Sequence, residues 1–153
     1  MGSAVYAKAA RKRREKIRFM VALETVGYYS DTPGSQRYPP LLKFFYSDRG
    51  NFIGFVSNLR SRSFMRRAVR AFRAGSEFPV QHVATFSSVP GVAWSDHSSF
   101  WREGYRAFMV TDTAFYRYRY YHTADDTADK LRYEPFAQCC NGLYQCFAAL
   151  SRN

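Results

Sequence analysis

A chain of 153 residues suits one domain able to bury a sizeable core. Its 46% hydrophobic and 18% aromatic content excludes a disordered chain, and the 14 Phe and 12 Tyr point to a fold packed on itself or against more protein. The net charge of +11 permits contact with nucleic acid or anionic surfaces. No nucleic-acid motif accompanies the basic runs, Arg11-Lys12-Arg13-Arg14 and the Arg60, Arg62, Arg66, Arg67, Arg70, Arg73 cluster. They read as solvated helix faces, and nucleic acid is not an expected partner.

No stretch approaches the ~20 apolar residues of a membrane span. The basic N-terminus is followed by no apolar core of a signal peptide, and the compartment stays unassigned. Cys139, Cys140 and Cys146 fall in one apolar segment without C-x-x-C spacing, which predicts buried small hydrophobes in place of a disulfide framework.

In chain order, Ser3 to Lys16 is rich in Ala, Arg and Lys and predicts a helix capped by Ser3. Ile17 to Val26 is a nearly continuous apolar run that predicts a buried strand ended by Gly27. Glu24 falls at its C-terminal end, where open α/β sheets place functional groups. Tyr28 to Gly50 carries Pro33-Gly34, Pro39-Pro40 and Asp48-Arg49-Gly50. It predicts a long loop with a short helical piece near Leu41 to Phe45, and loops of this length often bind or cover ligands.

Phe52 to Val56 predicts a strand, Arg60 to Ala74 an amphipathic helix stopped by Gly75, and Phe78 to Phe86 a strand. After a Ser/Pro/Gly loop, Asp96 to Arg102 predicts a short helix capped by Ser95 or Asp96. Tyr105 to Thr111 predicts a buried strand, Thr113 to Asp129 a Tyr-rich loop, and Lys130 to Leu150 a terminal helix with Pro135 in its first turn. This alternation gives an α/β fold in one domain spanning 1–153.

Ionisable candidates are few: His82, His97, His122 and twelve carboxylates. The adjacency of Ser95, Asp96 and His97 does not make a triad, because neighbouring side chains rarely point at one another productively. No nucleophile elbow, P-loop or dinucleotide fingerprint occurs. A loop histidine such as His122 is ordinarily solvated. A carboxylate such as Glu24 that ends a buried strand needs a cation or a metal, and arginines are plentiful.

Resemblance adds to both residues. The order Leu23-Glu24-Thr25-Val26-Gly27-Tyr28, then Trp94-Ser95-Asp96-His97-Ser98-Ser99-Phe100, then Tyr121-His122-Thr123 with Asp126-Thr127, resembles the C-terminal half of the zinc-dependent aminopeptidase family. That family includes bacterial leucyl aminopeptidases, glutamate carboxypeptidase and glutaminyl cyclase. Val110-Thr111-Asp112-Thr113 resembles a bacterial branch, although Arg119 and Tyr120 stand where that branch tends to carry Pro and His.

The resemblance implies a partial three-layer α/β/α fold with a mostly parallel or mixed sheet that lacks its N-terminal portion. It implies a two-zinc site with Glu24 and His122 each binding one ion, and Asp96, His97 and Tyr121 near the substrate pocket. The Tyr28 to Gly50 loop and the loop around Tyr116 to Tyr121 would shape that pocket. The family also needs an upstream His, a bridging Asp and a Glu-Glu pair that supplies the general base, yet no Glu-Glu occurs in this sequence.

Met1-Gly2-Ser3 resembles the stretch that follows that pair, so no catalytic residue is carried over. Two ligands cannot define two zinc sites, and metal-bound water would lack its proton acceptor. The expectation is an exopeptidase part with little activity alone, acting on peptides once an N-terminal half completes it. The alternatives are a non-catalytic remnant that self-associates through an exposed sheet edge, or a basic interaction module.

Overall fold

The computed structural model describes residues 2–39 and 42–152. Helix α1 (Gly2–Lys12) leads into strand β1 (Met20–Glu24), and a long loop follows before β2 (Ile53–Asn58). Then come α2 (Arg62–Gly75), β3 (Val80–Thr85), α3 (His97–Arg102), β4 (Ala107–Thr111) and α4 (Tyr133–Arg152). The strands form one mixed sheet in the order β1-β4-β2-β3. β1 runs parallel to β4 and β2 parallel to β3, while β2 and β4 are antiparallel. The expected α/β/α layering holds: α2 and α4 cover one face, and α1 and α3 cover the β1–β4 end of the other.

β4 is central, and Ala107, Phe108, Met109, Val110 and Thr111 are all buried. Phe55 and Phe108 stack at 5.6 Å in the face beneath α2 and α4, and Phe72 meets Phe55 edge-on at 5.6 Å. Aromatic pairs of this geometry add to the area they remove from water. The apolar stripe of α2, Phe64, Met65, Ala68, Val69 and Phe72, lies against them as its 3.6-residue spacing requires.

Three expectations are corrected. The apolar run Ile17 to Val26 yields a strand of only five residues in which Ala22 alone is buried and Leu23 is 55% exposed. β1 is an edge strand, so the helices of its outer face do not reach Leu23. Gly75 does not end α2 through a left-handed turn; the chain leaves it extended at Ser76 (φ −159°, ψ 138°). Gly75 and Gly142 instead let α2 and α4 approach closely, since a Cβ on Gly142 would stand 2.6 Å from the Phe72 ring and one on Gly75 2.6 Å from Gln145 Cβ. Finally, Cys139 and Cys146 are buried and free, as expected, but Cys140 is exposed on the outer side of α4.

The helical piece expected near Leu41 to Phe45 appears as a 3-10 turn, Leu42–Phe44, while Met1, Pro40 and Leu41 lie outside the described residues. Among the described residues no helix is long and apolar enough to cross a membrane.

The two edges of the sheet differ. Ile53 N–H donates to Pro79 O at 2.9 Å, which turns Pro79, Gln81 and Val83 toward β2 and leaves the peptide groups of Val80 and His82 facing outward. Side chains cap those carbonyls: Arg73 donates to Val80 O at 3.4 Å and Tyr46 to His82 O at 3.0 Å. On β1, Met20 N–H donates to Arg106 O at 3.0 Å, so Val21 and Leu23 face outward. No described residue bonds to their peptide groups. One edge has these two carbonyls capped and the other is bare.

Candidate functional site

Glu24 ends β1 on the sheet face that carries α1 and α3, beside Thr111 in register. The next residue breaks the ladder. Thr25 takes a left-handed backbone (φ 48°), its hydroxyl donates to Glu24 O at 2.6 Å, and its own carbonyl accepts from Asp112 N–H at 2.7 Å. Thr113 (φ 78°), Ala114 (φ 46°) and His122 (φ 60°) share this unusual conformation. Left-handed non-glycine residues cost of order 1–3 kcal/mol each and gather at functional sites. Here Thr25 follows β1 directly, and Thr113 and Ala114 follow β4.

Asp112 is 2% exposed and accepts from two backbone donors, Tyr28 N–H at 2.9 Å and Ala114 N–H at 3.0 Å. It joins the start of the long loop to the turn after β4. Arg117, also buried, does the same work from the other side. Its Nε donates to Gln36 Oε1 at 2.9 Å, and one terminal nitrogen donates to Tyr28 O at 3.1 Å and Phe52 O at 3.0 Å. Its guanidinium lies over the Phe52 ring at 4.7 Å. Burial pulls its pKa down to about 10, against the opposing pull of Asp112, so it stays charged at neutral pH.

Between the sheet and these loops lies a cavity of ≈ 130 Å³. Its floor is the sheet face of Gly54, Val56, Met109 and Thr111, with Tyr38 and Tyr46 from the long loop on one side. Val89, Val92 and Trp94 form another wall, and Phe115, Tyr116 and Tyr121 a third. Trp94 stacks on Phe115 at 5.4 Å. A mostly apolar space of this size is comparable in volume to the ~150 Å³ cavities that take a single benzene ring.

Glu24 and Tyr121 both line this cavity. Burial, and then the Glu24 charge, push the Tyr121 hydroxyl pKa up, so it remains a hydrogen-bond donor at neutral pH. No described cation lies within ion-pair distance of Glu24, so the arginine partner that a sheet-end carboxylate would ordinarily have is not there. His122 lies on the exposed loop, its ring stacked on Tyr121 at 3.9 Å, outside the cavity lining.

Of the Ser-Asp-His segment, Ser95 lines the cavity, whereas Asp96 is exposed and His97 is wholly buried behind it. His97 Nε2 lies 2.7 Å from Val92 O, and its ring meets Trp101 edge-on at 4.4 Å. It braces the loop that forms the Val92–Trp94 wall. Sequence reasoning set Asp96 and His97 near the pocket, whereas of the three adjacent residues it is Ser95 that lines the cavity. It missed Arg117 altogether.

Burial lowers the His97 pKa below its ordinary value, more than its Val92 bond and Asp96 raise it. A histidine held neutral in the fold stabilises the protein fully above the unfolded value of ~6.5, and that contribution is lost as pH falls through the depressed folded value. His82 is lowered as well, by burial and then by Arg73 and Arg66. Urea midpoints should therefore drop as pH is lowered from 7.5 to 5. His97→Gln should flatten that slope by up to ~1.4 kcal/mol per pH unit. An unchanged slope would remove His97 from the account.

As to metal, no group of three or more His, Cys, Asp or Glu among the described residues could hold an ion. Glu24 and His122 offer one oxygen and one nitrogen donor set, short of the three or four protein ligands that zinc takes. The donors of this chain do not by themselves fit a zinc site, and no chemical step through zinc follows from them.

Comparison with known proteins bears on the same residues. An uncharacterized protein of Escherichia coli K12, YfbL, is 40% identical over 144 residues, covering 94% of this chain and 44% of its own length. Two Legionella pneumophila structures superpose well: the LapA aminopeptidase at TM-score 0.67 and 19% identity, and LapB at 0.69 and 17%. They cover 96% and 97% of this chain, but only 34% and 35% of their own chains match. An aminopeptidase from Aneurinibacillus sp. strain AM-1 matches at 0.60 and 17%, over 95% of this chain and 29% of that one. The chain thus spans less than half of the curated relative and about a third of the solved structures, and the latter likeness establishes a partial α/β fold. The sequence model for peptidase family M28 matches residues 1–145, which takes in both the Glu24 strand end and the Tyr121-His122 loop, and the chain belongs to that family.

Proposed function

We propose that this chain is the C-terminal part of a zinc-dependent exopeptidase of the aminopeptidase type, in which Glu24 and His122 each contribute a metal ligand. The remaining ligands and the general base would come from polypeptide outside the matched third to half of the relatives' length. The observation that carries this reading is Glu24: a carboxylate with no ion-pair partner among the described residues, at the C-terminal end of a bare edge strand, on the rim of an apolar cavity. Zinc, when bound, would polarise the scissile carbonyl and activate water.

The roles of this chain's own residues are positional. The cavity would receive the apolar side chain of the substrate's N-terminal residue, and its size selects one aliphatic chain or one ring. The Tyr121 hydroxyl, kept protonated, would donate toward the substrate near Glu24. The bare edge of β1 offers Val21 and Leu23 for pairing with a strand of the completing polypeptide.

Co-expression with the part of the YfbL relative that lies outside the matched segment tests this. The expected result is a stable complex that releases N-terminal Leu or Phe only with zinc, and loses bound zinc in Glu24→Gln and His122→Ala. A well-folded complex that neither binds zinc nor cleaves would overturn the reading. It would leave a non-catalytic family remnant that associates through β1, the second reading that the bare edge favours.

A further inference from the structure

A second concavity, ≈ 400 Å³ and polar, lies on the opposite face of the sheet between α2 and the outer edge of β3. Arg62, Arg66 and Arg73 line it together with His82, Gln81 and Tyr46. The arginines are spaced by four and seven residues, which puts them on one stripe of α2. No Asp or Glu lines the groove, and neither ion pair among the described residues involves these arginines. Arg73 spends one bond on Val80 O; Arg62 and Arg66 donate to no acceptor among the described residues.

The backbone adds donors of the same sign. Because Pro79, Gln81 and Val83 turn their peptide groups to β2, the N–H groups of His82 and Ala84 face outward along the groove. Three guanidinium groups and two outward N–H groups, with no counter-charge, make a concave field of one sign. Guanidinium forks match phosphate oxygens in pairs, which a single carboxylate would not satisfy three times over.

We infer that this groove is a binding site for a compact phosphate-bearing anion of the diphosphate class, held by Arg62, Arg66 and Arg73 with His82 at its wall. The concavity decides between this ligand and a nucleic-acid strand. Arg67 and Arg70 lie outside the groove lining, with Arg67 over the Phe64 ring at 5.4 Å, so the cations converge on a pocket instead of tracking a backbone. Tyr46, Gln81, His82 and Val83 line both concavities, so an anion here would also steady one wall of the apolar cavity.

Titration with inorganic pyrophosphate tests the site, using nuclear magnetic resonance of His82 and thermal unfolding, with sodium chloride at matched ionic strength as control. The groups around His82 are Arg73 and Arg66 from α2 and Tyr46, whose hydroxyl meets the His82 carbonyl; burial first and then the two cations hold its pKa down, and a bound anion offsets the cations' share. Pyrophosphate should therefore raise the His82 titration midpoint and the unfolding temperature, saturably, where chloride does neither. Arg66→Gln and Arg62→Gln should each weaken binding at least tenfold, Arg66→Lys less, and Arg70→Gln not at all. Equal responses to pyrophosphate and chloride, or unaltered affinity in both glutamine variants, overturn the site. So does tighter binding of an oligonucleotide that Arg70→Gln also weakens, which would mark an extended nucleic-acid face.

Discussion

Arg117→Met should lower stability by about 3–5 kcal/mol and release the loop between Tyr28 and Gly50. The Arg117 side chain holds three acceptors from distant parts of the chain: Gln36 Oε1, Tyr28 O and Phe52 O. Each buried acceptor left without a donor costs about 1–3 kcal/mol. Relief from burying a guanidinium with no ion-pair partner returns part of that, and methionine fills the volume of the stem. The unpaired acceptors win.

Lysine should rescue charge but not function at this position, because one ammonium cannot reach three acceptors that the planar fork spans. Urea unfolding gives the loss, and limited proteolysis within 30–50 gives its location. Since Tyr38 and Tyr46 of this loop wall the cavity, the variant should also disturb the cavity, read as lost binding of small apolar amides to this chain. An unfolding midpoint equal to that of the parent protein would show that the loop does not depend on Arg117.

Phe108→Ala should cost a similar 3–5 kcal/mol by a different route, an internal void. Phe108 is wholly buried in the central strand, stacked on Phe55 at 5.6 Å and tilted against Phe64 at 5.7 Å. Neighbours in β4 and α2 are fixed by the sheet ladder and by the close α2–α4 contact at Gly142, so the space cannot collapse. Phe108→Leu should recover most of the loss. Calorimetric unfolding of the two variants decides it: equal melting temperatures would mean that ring packing contributes little there.

Much of the architecture could be read from local pattern. The stripe of α2 shows its period plainly, and the β2–α2–β3 order requires a parallel crossover. The length of β1 was misjudged for a physical reason. An unbroken apolar run looks the same whether a strand has neighbours on both sides or on one, and β1 has only β4 beside it, with Leu23 exposed.

The site divides similarly. Glu24 was legible, since a carboxylate ending an apolar run is conspicuous. Arg117 was not, because nothing in Tyr116-Arg117-Tyr118-Arg119 distinguishes the buried arginine from the exposed one. The partners that bury it lie 65 to 89 positions away. The arginines of α2 read as a solvated face, and they are exposed as expected; the pattern did not show that three of them border one groove.

The unequal edges of the sheet carry one last consequence, for assembly. A sheet with two open edges can add strands at both, whereas this sheet has Tyr46 and Arg73 across two carbonyls of β3. A strand that joins at β1, from a completing polypeptide or from a second copy, meets an edge whose N–H and C=O groups are both without described partners, whereas β3 offers N–H groups beside two capped carbonyls. Pairing of β1 with its own copy would be isologous and stop at two. The asymmetry therefore directs strand pairing to β1 ahead of β3.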